Sequence, residues 1–137
     1  MIAITDKSRS AVLALTELAS RGDSGPVPIL EVAERRVIPL HLLEQLFASL
    51  RRAGILQSQR GVKGGYSFRR APSQVSLLEV VETVEGRLGP VHGEGLSGCD
   101  AVWREARDRV SDLLREITIA DIVEREARAQ EAPMFHI

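Results

Sequence analysis

The stretch that most restricts the fold is QRGVKGGYSFRR, residues 59–70. Runs of strand length at 55–59 and 65–69 flank a Gly-Val-Lys-Gly-Gly centre, whose glycines allow the positive φ that a tight hairpin requires. The same stretch carries Arg60, Lys63, Arg69 and Arg70, so the hairpin presents positive charge to an anion. That anion is either a nucleotide phosphate or the backbone of a nucleic acid, and spacing separates the two. A phosphate loop of the Walker kind needs G-x-x-x-x-G-K-[ST] directly before a helix, because the helix amides hold the phosphate. Here Lys63 precedes its glycine pair and YSFRR alternates like a strand, so no helix start is offered.

What precedes the hairpin gives it a context. Residues 6–21 form a helix with Thr5 or Asp6 as its cap, and Ala11, Val12, Leu15, Leu18 and Ala19 make one apolar stripe. RGDSGPVP breaks the chain. A short second helix starts near Pro28, turns Ile29, Val32 and Ala33 inward and ends near Arg36. VIP makes a turn, because Pro39 disfavours helical geometry at Ile38. A third helix from Leu40 to Ala53 buries Leu43, Leu46, Phe47 and Leu50, with Gly54 as its stop. Two helices joined by a few residues form a helix-turn-helix, and a hairpin after the third helix makes it the winged form.

Downstream, SLLEVVETVEG opens with Ser76 and places Glu79 three residues later, the spacing of a capping box. Leu77, Val80, Val81 and Val84 then share one face. Residues 86–98, GRLGPVHGEGLSG, hold five glycines and a proline and read as a loop. After it Trp103, Ala106, Val110, Leu113 and Ile117 recur at spacings of three and four among charged residues. Such a narrow seam needs a partner, and a second copy of the same helix is the simplest one. Thr118 caps a last helix with Asp121 in its first turn, and residues 129–137 form a tail. The domain plan is therefore a winged helix-turn-helix domain over 1–85, a glycine-rich sensor loop over 86–98, dimerisation helices over 99–128 and the tail. The fold class is mainly α with a small β-hairpin.

Charge divides along the same line. Residues 1–75 hold 11 Lys and Arg against 6 Asp and Glu, a balance of +5, whereas residues 76–137 hold 7 against 13, a balance of −6. A basic half before an acidic half suits a nucleic-acid partner at one end only. The single cysteine, Cys99, excludes an intramolecular disulfide framework and suits a reducing, cytoplasmic setting. MIAITDKSRS lacks the apolar core of a secretory signal, and no apolar run reaches the ~18 residues of a membrane span. No Ser-His-Asp grouping, paired His ligands or paired carboxylates in a cleft pattern suggest an enzyme.

LHLLEQLFASLRRAGILQSQRGVKGGYSF closely resembles the recognition helix and wing of the Rrf-two family, the IscR/NsrR type of bacterial winged-helix regulators. The runs LEQLFASLRRAGI, RGVKGGY, SLLEVVETVEG and ITIADIV follow the family's order, over residues 2–124. The resemblance implies a homodimeric DNA-binding repressor or activator, dimerised through the long C-terminal helix. Many members ligate an iron–sulfur cluster with three cysteines in the loop before that helix. Here the third cysteine's position falls on Ser97 and the following histidine's on Asp100, and Cys99 stands two residues past the expected thiolate. A cluster, the one cofactor the resemblance implies, would need ligands such as His92, Glu94 or Asp100, or a Cys99 shared between subunits. Cys99 itself has three readings: an inert small residue, a redox-reactive thiol at a helix start, or a ligand. Cys99, His92, Glu94 and Asp100 are thus the candidate sensor residues.

For DNA, the first turns of the third helix offer His41, Leu42, Glu44 and Gln45 to base edges. Gln45 suits adenine, His41 guanine, Leu42 a thymine methyl and Glu44 cytosine. On the wing, Arg60 and Lys63 suit a narrow A·T-rich minor groove, where family members use the wing arginine. Lys7, Arg9, Arg51 and Arg52 are candidates for phosphates. The expected function is a homodimeric regulator, a repressor, on a pseudo-palindromic operator, responsive to a redox or metal/cluster signal at the loop before the dimer helix. The alternative is a cluster-free interaction module controlled by a partner protein.

Overall fold

The structure, a computed structural model, describes residues 4–86 and 98–131. Six helices and a two-stranded antiparallel hairpin make up the described chain. The fold is therefore mainly α with a small β-hairpin, a winged helix-turn-helix followed by a long helix.

Helix α1 (Asp6–Ser20) starts where Thr5 Oγ1 accepts from the Lys7 amide at 3.2 Å. Its inner face, Ala11, Ala14, Leu15 and Leu18, is fully buried, so this helix is the spine of the core. Helices α2 (Ile29–Arg36) and α3 (Leu40–Arg52) each begin directly after a proline, Pro28 and Pro39. Between them the chain turns at Val37, which takes the left-handed conformation with φ 55°. The turn lies in the VIP stretch where the sequence placed it, and the Ile38 amide closes it by donating to the Ala33 carbonyl at 2.9 Å. Leu43, Leu46, Phe47 and Leu50 of α3 are buried, and Gly54 stops the helix with φ 78°.

Strands β1 (Leu56–Gln59) and β2 (Gly65–Phe68) pair with Leu56 opposite Phe68 and Gln59 opposite Gly65. Leu56, Tyr66 and Phe68 point to the core, where Tyr66 meets Phe47 edge to face at a centroid distance of 4.9 Å. A third, single-residue rung was not legible in the sequence. Val27, inside the RGDSGPVP break, exchanges both backbone hydrogen bonds with Tyr66, at 2.9 and 2.8 Å. That rung explains Gly65: a Cβ there would overlap the Val27 carbonyl, and one on Gly64 would overlap the Gln59 carbonyl oxygen. The glycine pair is thus required by backbone crowding as well as by turn geometry.

A short 3₁₀ turn (Pro72–Gln74) leads into α4 (Leu77–Glu85), and α5 (Gly98–Glu116) and α6 (Ile119–Glu131) complete the described chain. Two helix starts face each other here. Leu77 N–H donates to the Ile117 carbonyl at 2.8 Å and Ile119 N–H to the Val75 carbonyl at 3.0 Å, so Ser76 and Thr118 cap α4 and α6 side by side. Thr118 and Asp121 form a reciprocal capping box. The Ser76 box is only half made: Ser76 Oγ accepts from the Glu79 amide, but the Glu79 carboxylate pairs with Arg70 instead.

Helix α6 lies against α1 and buries Ile119 completely. Its outer turns are held by charge. Arg36 reaches Glu126 with both terminal nitrogens at 2.9 Å and Glu17 through Nε at 2.9 Å, while Arg21 Nε meets the other Glu17 oxygen at 3.1 Å. Of the helices read as dimerisation helices over 99–128, α6 therefore covers its own chain's core. By contrast α5 touches α4 along one side and has no buried residue. No described helix is long and apolar enough to cross a membrane.

Candidate nucleic-acid interface

Two elements carry the candidate base-edge and minor-groove groups, α3 and the hairpin loop that follows it. On α3, His41, Glu44 and Gln45 are exposed, and the core residues opposite them fix the helix's rotation. Gln45 Nε2 donates to His41 Nε2 at 3.3 Å, an i, i+4 link along the outer face. One amide hydrogen and the amide oxygen of Gln45 remain free, which is what a bidentate pairing with adenine uses. Leu42 departs from the expected set. It sits about 100° round the helix from His41, is half-buried, and packs against the core. A signal for this was present: Leu42 and Leu46 stand four apart, so they share the face that Leu46 buries.

The wing loop turns on Gly61, with φ 110°, and is closed by the Gly64 amide donating to the Gly61 carbonyl at 2.9 Å. This holds Arg60, Val62 and Lys63 out in solvent, and no ion pair among the described residues engages Arg60 or Lys63. Arg69 is exposed as well, but Arg70 is not a free cation because Glu79 takes it. The hairpin therefore offers three unpaired cations, not the four that its sequence carries. Arg51 Nη1 reaches Ser58 Oγ at 3.4 Å and so ties the end of α3 to β1, and Arg52 rests on Ser49 Oγ at 3.2 Å. Lys7 and Arg9 are exposed on the first turns of α1. Base-edge candidates and cationic candidates thus lie on consecutive elements of one rigid head, locked together by the Phe47–Tyr66 contact.

The candidate sensor residues divide differently. Cys99 is exposed in the first turn of α5, and Asp100 beside it is half-buried. His92 and Glu94 lie outside the described residues. Among the described residues no three His, Cys, Asp or Glu side chains are grouped to hold a metal. One thiol in the whole chain is a poor donor set for an iron–sulfur cluster, which takes about four ligands, mostly thiolates. The residues present do not fit that group.

The seam residues fall into two sets. Ala106 and Val110 of α5 and Ile117 just past its end are half-buried, whereas Trp103 and Leu113 are 57 and 56% exposed, and Val102, which the sequence reading left out of the seam, is 59% exposed beside them. Nothing in the described chain covers the outer three.

Comparison with known proteins places this geometry. Residues 4–125 match the model of a family described as "Rrf2: Iron-dependent Transcriptional regulator". The HTH-type transcriptional regulator IscR of Cronobacter sakazakii is 35% identical over 131 residues, which cover 90% of this chain and 81% of that one. Its counterpart in Escherichia coli O1:K1 is 34% identical over the same coverage. Among solved structures, CymR (YrzC), the global cysteine regulator of B. subtilis, superposes with a TM-score of 0.83 at 29% identity, covering 91% of this chain and 98% of that one. T. potens IscR gives 0.82 at 31% identity, covering 94% and 91%.

Proposed function

Since this chain belongs to the Rrf2 family of transcriptional regulators, we propose that it works as a homodimeric repressor reading a pseudo-palindromic operator. The coarser statement is settled by the family: the protein is a DNA-binding transcription regulator with a winged helix-turn-helix, not an enzyme. The observation that carries the finer one is the outer face of α3, His41, Glu44 and Gln45, followed by a wing whose Arg60 and Lys63 have no ion-pair partner among the described residues. Unpaired cations on a rigid loop lose nothing internally when they meet phosphate or enter a narrow minor groove.

The uncovered stripe of Val102, Trp103 and Leu113 supports pairing with a second copy along α5. Two heads related by a two-fold axis would meet half-sites about one helical turn apart. A signal received between the head and α5 would change the angle of the two long helices and so the spacing of the heads. Cys99, exposed at the start of α5, is the group that an oxidant reaches. The iron dependence in the family's description is not carried over, because this chain's donors do not fit it.

A mobility-shift titration at two salt concentrations tests the DNA contact. Affinity should fall steeply with salt, and Arg60→Ala should flatten the slope by about one counterion. Binding that ignores salt, or no binding to any duplex at low ionic strength, sinks the reading. Cys99→Ser assayed under oxidant and reductant tests the thiol switch: identical affinities for both proteins under both conditions remove it.

A further inference from the structure

The sequence offered Leu42 to a thymine methyl, and the fold turns Leu42 to the core. The apolar group left on the reading side is a different one. Leu40, the first residue of α3, is 38% exposed and forms one wall of a shallow groove of about 490 Å³ shared with Leu30, Ala33, Val37, Ile38 and Pro39 and edged by the Glu34 carboxylate. Val37 and Leu30 are 89 and 51% exposed, so this is the bare apolar patch of an otherwise basic head. We propose that Leu40 is a specificity-determining residue that reads the C5 methyl of a thymine in the major groove, next to the base pair faced by Glu44.

Position makes the case. Leu40 and Glu44 stand four apart, as do His41 and Gln45, so the outer face of α3 has two parallel edges. One edge, His41 with Gln45, is hydrogen-bonded and polar. The other pairs an apolar group with a carboxylate. In the major groove thymine presents the only apolar group, its methyl, and cytosine presents an amino donor that a carboxylate accepts from. Leu40 and Glu44 are therefore complementary to neighbouring pyrimidines of one strand. Four residues of helix rise about 6 Å, and base pairs stack about 3.4 Å apart, so the two contacts fall one or two steps apart on a helix laid along the groove. The groove's continuity with the reading face favours DNA over a second copy as its occupant, and the uncovered stripe of α5 is a separate surface.

This inference rests on the DNA-reading proposal above, and the test separates the two. Duplexes are selected by the full-length protein from a randomised pool, and each thymine of the selected site is then replaced singly by deoxyuridine, which removes the methyl alone. The expected result is one thymine per half-site whose replacement weakens binding roughly fourfold, the equivalent of one buried methyl. Leu40→Ser should bind the thymine and uracil sites equally, and Leu40→Met should restore the preference. Glu44→Gln should alter selection one or two base pairs from that thymine. Far-UV circular dichroism of each variant reports folding, and the thymine-to-uracil ratio is read within one protein, so lowered stability does not imitate the effect. If selection succeeds but no thymine shows a penalty, or Leu40→Ser keeps it, the methyl reading is overturned while DNA binding stands. If Leu40→Ser instead changes the sedimentation of the free protein with no change in that ratio, the groove joins copies of the chain and the inference is overturned. If no duplex is selected at all, the DNA-reading proposal itself fails.

Discussion

The head and α5 both carry an apolar stripe, and they treat it in opposite ways. In the head the stripes of α1, α3 and α4 close on one another, and Leu15, Phe47, Leu50 and Val80 lose all contact with solvent. Across the 19 residues of α5 no side chain is buried, and the largest apolar one, Trp103, is more than half exposed. A helix of that length does not hold together in water through propensity alone. One stripe stabilises the monomer, and the other is left uncovered, the surface that the proposed pairing with a second copy would bury.

Core truncation should show the largest contrast. Phe47→Ala removes a fully buried ring that touches Tyr66 of the wing, and should cost about 3–5 kcal/mol in urea denaturation. Val110→Ala, on the half-buried side of α5, should cost a small fraction of that at a protein concentration low enough to keep the chain monomeric. Equal losses would mean that α5 belongs to the head's core after all.

The assembly side comes next. Trp103→Glu combined with Leu113→Glu places two charges on the uncovered stripe. Sedimentation should show self-association weakened by at least about a hundredfold, near 3 kcal/mol. The circular dichroism of the head should be unchanged. A variant that sediments like the wild type would assign the stripe to something other than a second copy.

How much of this was legible depends on the range of the contact. The helices of the head follow from apolar spacing, and their ends from Pro28, Pro39 and Gly54, because these signals act within a few residues. The hairpin was visible for the same reason, each strand one residue shorter than the runs at 55–59 and 65–69. The Val27 rung was not, since one residue in a proline- and glycine-rich break has no periodicity to betray it. The loss of Arg70 to Glu79 was equally hidden, because it joins residues that only the packing of β2 beside α4 brings together. In the candidate site, His41, Glu44 and Gln45 are exposed as helical spacing predicts, whereas Leu42 is half-buried because the leucine-rich LHLLEQL leaves two residues competing for the outer face. The charge network of Glu17, Arg36 and Glu126 spans most of the chain and has no local signature.

Within the head, the turn at Val37 is a small strained exception. A β-branched residue with φ 55° is unfavourable by about 1 kcal/mol, and its side chain, 89% exposed, recovers little through packing. Val37→Asn should raise stability by about that amount, since asparagine tolerates the left-handed region. No gain would show that the exposed valine is stabilised by contacts outside the chain, which would bring this turn closer in character to α5 than to the core.

The weakest effect separates α6 from α5. Arg36 donates two hydrogen bonds to Glu126 and so holds that carboxyl below the usual glutamate range, with burial opposing the shift. A carboxyl whose pKa is lower folded than unfolded stabilises the fold fully above its unfolded value, about 4.3, and loses that contribution as the pH falls through the lower, folded value. Glu126→Gln should therefore lower the urea midpoint slightly at pH 7, and the difference from wild type should shrink as the pH falls below about 4.3 and vanish under the lower, folded value. The effect is small because the Glu126 side chain is 35% exposed and water screens the pair. Some acid sensitivity should persist in the variant, because the Thr118 amide and hydroxyl also hold Asp121 low. A pH-independent difference between Glu126→Gln and wild type would detach α6 from the head electrostatically, leaving the buried Ile119 as its anchor.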